Sequence, residues 1–266
     1  MSPEELLQQG DAEAALSALQ DRVRTQPGVA KLRVFLFQLL CVLGQWERAR
    51  TQLKVLSDLD ASTLAMVNVY GRALSCEILR EEVFAGRRTP LILGEPLPWM
   101  AMLVEALELE SQGAYTKACE IRARAMEQAL AVPGSIDGAP FEWIADADPR
   151  LGPVCEMLID GKYYWVPFER IELLAIEKPH DLRDVVWLPA NVRLTNGGEW
   201  AALIPARYPG SEDDTDNAVR LGRKTVWNEI ATELYHGRGL RVFATDHSEY
   251  PLAGISRIEL NRTSGQ

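Results

Sequence analysis

Gly10-Asp11-Ala12-Glu13-Ala14-Ala15 returns 34 residues later as Gly44-Gln45-Trp46-Glu47-Arg48-Ala49, and close to two further periods on as Gly113-Ala114-Tyr115-Thr116-Lys117-Ala118. The shared pattern is Gly first, a large residue or Ala third, and Ala sixth. Gly permits a tight turn between two antiparallel helices. A small Ala one turn into the second helix lets the pair approach closely. Pro27 stands where that second helix should end, because proline cannot continue a helix interior. The slot near residue 78 holds no copy, so the array is degenerate.

Working outward, the helical half can be laid out from its punctuation. Ser2-Pro3-Glu4-Glu5 reads as a capping box with Pro at the first helical position. Helices are expected over 11–26, 29–43 and 45–58, then over 62–85 with Gly86 as a stop. Residues 87–98, rich in Pro and Gly, break the pattern, and helices over 99–112 and 114–131 follow. A period of 34 with this turn resembles tetratricopeptide repeats. Stacked helix pairs of that kind leave a concave face suited to an amphipathic helix. Phe35, Phe37, Trp46 and Trp99 are read first as filling the core between helices, with Trp99 also a candidate contact.

From residue 135 the grammar changes to dense Gly, Pro and aromatics with short β-type runs. Residues 155–159 and 162–167 flank Asp160-Gly161 as a hairpin. Strands are expected at 171–176, 185–189, 192–195, 200–205, 240–244 and 252–260, with Asn196-Gly197-Gly198 as a second hairpin turn. The fold class is therefore α+β: tetratricopeptide-like helical repeats over 1–134, then a small β-rich barrel or sandwich over 135–266.

Composition bounds the function. The net charge is −10, with −3 on residues 1–134 and −7 on 135–266. Nucleic-acid binding needs a surplus of Lys and Arg to displace counterions, and neither half has one. Cys41, Cys76, Cys119 and Cys155 form no C-x-x-C pair, and His180, His236 and His247 have no metal-ligand spacing. The opening MSPEELLQQG has no secretory character, and Val34 to Leu43 is too short and too interrupted to span a membrane. A cytoplasmic protein is expected, which leaves the sequon Asn261-Arg262-Thr263 idle.

The block APFEWIADADPRLGPVCEMLIDGKYYWVPFERI (139–171), with GRRTPLILGEPLPWM (86–100) upstream and DHSEYPLAGISRIEL (246–260) near the end, resembles the ImpE family. That family, also called SciE or TagJ, is an accessory protein of the type VI secretion system. The resemblance implies a non-catalytic adaptor in the bacterial cytoplasm. Its implied partner is the amino-terminal helix of the small sheath subunit TssB, with a link to the ClpV ATPase. No catalytic residue and no cofactor come with it.

Candidate contact residues follow from the residue types. In WIADADPR, Trp143, Asp146, Asp148 and Arg150 are candidate contacts, with the two carboxylates and Arg150 read first as a turn cap and ion pair at the junction of the halves. An enzyme with these two carboxylates and Arg150 in a cleft is the rival reading, and a purely structural scaffold is a third. On the strand through Tyr163, Tyr164 and Trp165, alternation sends Tyr163 and Trp165 inward and leaves Tyr164 outward. Tyr164, Trp165 and Arg170 join the candidates, because aromatics and Arg are typical hot spots. Asp246-His247-Ser248 is a turn, since triad side chains converge from separate elements. No phosphate-binding, nucleotide or nucleophile-elbow motif is present.

Overall fold

Gly10, Gly44 and Gly113 all adopt a left-handed backbone, with φ of 87°, 65° and 75°, and Ala15, Ala49 and Ala118 five residues on are fully buried. The repeat therefore does what its chemistry demands. In the computed structural model, which describes residues 1–261, these glycines join three helical hairpins. The pairs are α1 (Pro3–Gln8) with α2 (Ala12–Thr25), α3 (Ala30–Val42) with α4 (Trp46–Leu59), and, after α5 (Leu64–Phe84) and the two-residue strand β1 (Leu91–Ile92), α6 (Pro98–Ser111) with α7 (Tyr115–Gln128). Ser2 and Glu5 form the expected capping box, and Gly86 closes α5 at φ 69°. Arg262 and Thr263 of the sequon lie outside the described residues.

The β-rich half comprises β2 (Gly134–Ile136), β3 (Ala139–Phe141), β4 (Ile144–Asp146), β5 (Val154–Ile159), β6 (Lys162–Pro167), β7 (Ile171–Ile176), β8 (Trp187–Leu194) and β9 (Glu199–Pro205). The short helix α8 (Asn217–Arg220) precedes β10 (Thr225–Ala231), β11 (Leu234–Gly239), β12 (Val242–Thr245), β13 (Glu249–Pro251) and β14 (Arg257–Leu260). Nine strands pair in the order β1-β6-β5-β9-β8-β7-β14-β2-β3. No pairing joins β1 to β3 among the described residues, so of the two expected forms, barrel or sandwich, a closed barrel is not shown. A three-stranded sheet, β13-β12-β4, and the separate hairpin β10-β11 complete the half.

Three expectations are corrected here. The strands expected at 185–189 and 192–195 are one, β8, preceded by a 3-10 turn at Leu182–Val185. Pro189 is tolerated inside it because its carbonyl accepts from Glu177 N at 2.8 Å. Its missing N–H therefore faces the place where β7 has already ended. The run 252–260 divides into a turn at Leu252–Gly254 and β14. The strands β2, β3, β4, β10, β11 and β13 were not anticipated.

Strand alternation splits the large sheet into two buried faces. On β8, Trp187 joins the core shared with the helices, while Leu188 joins the core under β4 and β12. Trp187 enters between Trp46 and Tyr70, with ring centroids 6.2 and 5.7 Å away. Arg207 donates to Val42 O at 2.9 Å. Around α3 and α5 the helical layer is thus packed against the chain's own β half.

The alternation of β5 also turns Glu156 toward the helices, where it is fully buried. Arg80 of α5 donates to it twice, from Nε at 2.7 Å and from Nη2 at 3.0 Å. Arg241 donates from its other side and reaches Asp146 at 2.6 Å. Tyr163 donates to the same carboxylate, and Trp165 Nε1 donates to Tyr163 at 2.8 Å. Glu77 pairs with Arg80 at 3.3 Å and accepts from Trp187 Nε1 at 2.8 Å. Burial alone would raise the pKa of Glu156, but the two guanidinium groups outweigh it and hold it down to about 2. For Asp146 burial wins over Arg241, with Asp148 adding repulsion, and the carboxyl is pushed up to about 7.

Removing one member of such a buried array strands the others' charge. Glu156→Gln should lower the unfolding free energy by about 3–5 kcal/mol in urea, whereas Arg257→Ala, at an exposed pair, should leave the midpoint unchanged. Equal effects would contradict the assigned role of Glu156. Asp146 makes a second prediction. With a raised folded pKa it keeps its proton where the unfolded chain has lost it, so stability falls as pH rises through about 7. The urea midpoint of the wild type should drop from pH 5 to pH 8 relative to Asp146→Asn; parallel curves would show that this carboxyl does not titrate there.

Candidate helix-binding groove

Where the helical cover of the large sheet stops, a half-open groove of about 650 Å³ runs between α5 and the strands β5, β9 and β8. Ala65, Met66, Val69 and Tyr70 of α5 form one wall, and Leu158, Pro189, Ala201 and Leu203 belong to the floor. Ala190, Ala201 and Ala202 lie among the floor residues, and these small residues let another element approach the sheet closely. Val69 is 49% exposed for want of a neighbour on this side, and its lining is apolar with charge confined to the rim.

The rim is fixed by particular contacts. Asp160 and Gly161 take φ of 48° and 72°, the left-handed pair that a tight β-hairpin turn requires. Arg72 crosses this turn so closely that a Cβ on Gly161 would lie 2.3 Å from its Cδ, and its Nη1 meets Asp160 at 3.1 Å. Arg183 stacks over Tyr70 at 4.8 Å and pairs with Asp181. Glu177 and Arg183 also line the groove. Rim charge is therefore mixed, and shape and apolar area dominate what the groove can hold. With the size of an ordinary ligand cleft and an open side, it suits an elongated apolar face.

None of the contact residues expected from the sequence lines this groove. Asp146, Asp148, Arg150, Trp165 and Trp99 are buried, which corrects their reading as contacts: they hold the fold together. Asp148 accepts from Arg150 Nε and Nη2 at 2.9 and 2.6 Å, and from Gly237 N at 2.8 Å. That geometry is the turn cap and ion pair anticipated, and Arg150 outweighs burial to keep the Asp148 pKa low. Tyr163 and Trp165 point inward as expected, and Tyr164 is half-buried. Arg170 donates to Leu93 O and Glu95 O, clamping the segment after β1. Trp143 alone of the set is exposed, at 39%. Among the described residues no cluster of His, Cys, Asp and Glu could hold a metal ion, and no helix is long and apolar enough to cross a membrane.

The groove residues carried a faint signal. Leu64, Met66, Val67 and Val69 make the start of α5 apolar on more sides than one buried face needs.

A helical-repeat layer sealed by an open sheet is the class this architecture defines, and comparison agrees at both ends. Residues 6–68 match the tetratricopeptide repeat family, and residues 138–259 match the ImpE protein family. Over 263 residues the chain is 50% identical to the type VI secretion system accessory component TagJ of Pseudomonas aeruginosa, covering 99% of this chain and 92% of that one. The chain belongs to the ImpE family, of which TagJ is a member. The crystal structure of protein VPA1032 from Vibrio parahaemolyticus superposes with a TM-score of 0.90 at 26% identity, covering 97% of each chain.

Proposed function

We propose that this protein is a non-catalytic accessory component of a type VI secretion system, acting in the bacterial cytoplasm. In this reading it captures the amino-terminal helix of the sheath subunit TssB in the groove beside α5 and brings the sheath to the ClpV ATPase. The observation that carries it is the groove, with a mostly apolar floor that includes three alanines and with Val69 left exposed on its wall. A helix laid beside α5 at the usual interaxial spacing of about 8–10 Å would extend the helical layer over β8 and β9. Anchors at i, i+3, i+4 and i+7 would span roughly 10 Å of groove at 1.5 Å per residue. Residues 1–134 and 135–266 act as one unit in this proposal, because the groove takes a wall from one and its floor from the other. Trp143 is offered as an outlying contact.

The carboxylates of the rival enzymatic reading are committed to internal arginines, Asp146 to Arg241 and Asp148 to Arg150, which favours the adaptor.

Titration calorimetry of the full chain with a synthetic TssB amino-terminal helix should give saturable one-to-one binding. Val69→Glu places a charge on the groove wall and should weaken binding about tenfold or more, equivalent to about 1.4 kcal/mol. Its unfolding midpoint should stay put, because Val69 is exposed. Absence of binding by the wild type would overturn helix capture; wild-type affinity in V69E would move the site away from the groove.

A further inference from the structure

Four arginines in this chain each meet an aromatic ring and a carboxylate together. Arg80 and Arg150 lie 5.5 and 5.0 Å from the Phe84 ring while pairing with Glu156 and Asp148. Arg183 sits over Tyr70 beside Asp181, and Arg241 lies 5.5 Å from Tyr208 while pairing with Asp146. An exposed set of aromatic rings and a carboxylate without a guanidinium lies on the hairpin β10-β11. In its register Glu229 faces Tyr235 and Trp227 faces Gly237, so Trp227, Glu229 and Tyr235 share one side of the ribbon. Directly opposed residues have Cβ atoms about 5 Å apart, and diagonal ones stay within reach of aromatic side chains.

This face is open and fixed. Trp227 is 38% exposed and Tyr235 43%. Trp227 is held from behind by Tyr208, with centroids 5.5 Å apart. Both rings close over Gly237, where a Cβ would lie 2.5 Å from Tyr208 Cδ2. Gly237 is itself tied to Asp148 at 2.8 Å. Trp227 and Tyr235 make no ring contact with each other among the described residues. Glu229 and the nearby turn residue Glu233 are exposed and have no ion-pair partner among the described residues.

We propose that the Trp227–Glu229–Tyr235 face is a docking site for an arginine-bearing segment of a partner protein, separate from the groove. A guanidinium would stack on an aromatic face while pairing with Glu229, the arrangement the chain uses internally. Cation–π attraction adds to the ion pair, and arginine does this better than lysine because its planar fork stacks and pairs at once. The net charge of −7 on residues 135–266 favours approach of a cationic segment. The proposal shares no residue with the groove and does not depend on its occupant.

The test uses the full chain, isotope-labelled, titrated with the peptide acetyl-Gly-Arg-Gly-Arg-Gly-amide and with its lysine counterpart. The arginine peptide should shift the Trp227 indole N–H and the Tyr235 amide saturably, and bind about twofold to fivefold tighter than the lysine peptide, the range expected of an exposed cation–π contact. Tyr235→Ala and Glu229→Gln alter exposed side chains, so their unfolding midpoints should match the wild type while arginine-peptide affinity falls by a similar factor. Equal affinity for the two peptides, shifts spread over other acidic surfaces, or wild-type affinity in both variants would overturn the proposal.

Discussion

One carboxylate, Glu156, organises this molecule. It sits on the interior strand β5 with no access to water and accepts from Arg80 of the helical layer, Arg241 leading into β12, and Tyr163 of the neighbouring strand. The two guanidinium groups come from distant parts of the chain, one from α5 of the helical half and one from the segment that leads into β12. Each is also tied to a backbone carbonyl, Arg80 to Arg207 O at 2.9 Å and Arg241 to Pro205 O at 2.8 Å. Burying charge costs more than an isolated pair returns. The array survives because its charges are multiply paired and most of its lone pairs are filled.

From this centre the rest of the geometry follows. Arg80 fixes α5 against β5 and β6, and Glu77 one turn earlier holds the indole of Trp187. With α5 pinned there, the helical layer covers the start of β8 at Trp187 and leaves part of β8 and β9 open, and the groove is that remainder. On the opposite side Arg241 and Asp146 hold β12 beside β4. The neighbouring Asp148–Arg150 pair then seats Gly237, and with it the aromatic face of the hairpin. Both proposed contact surfaces are thus margins of one buried electrostatic centre.

The helical half was almost entirely legible in the sequence. Its helices end at capping residues, Gly and Pro, and those signals act within a few residues. Hairpins with Asp160-Gly161 and Asn196-Gly197 were legible for the same reason. The hairpin β10-β11 was not, because Asn228 and Glu229 dilute its apolar alternation and Thr232-Glu233 lacks a glycine at the turn. Pro189 disguised β8 as two strands. The ionic centre was invisible, since Arg80, Glu156 and Arg241 each look like ordinary surface residues until the topology brings them together. Asp146 and Asp148 stand out in the sequence, and Arg150 lies beside Asp148, yet the partner of Asp146, Arg241, is 95 residues away. The groove had the least signal of all, because it is defined by where packing stops.

The spacing of the central charges along the chain bears on how the protein is born. Arg80 and Glu77 leave the ribosome long before Arg241 does. At about 5–20 residues per second, the helical hairpins exist for roughly ten to thirty seconds before the last guanidinium is made. Glu77, Arg80 and the crevice for Trp187 stay hydrated until Glu156 and Trp187 have been made, and Glu156 then has one of its two guanidinium partners until Arg241 follows. The nascent repeats are therefore unsealed until β5 and β8 are made, and the segment carrying Arg241 completes the lock.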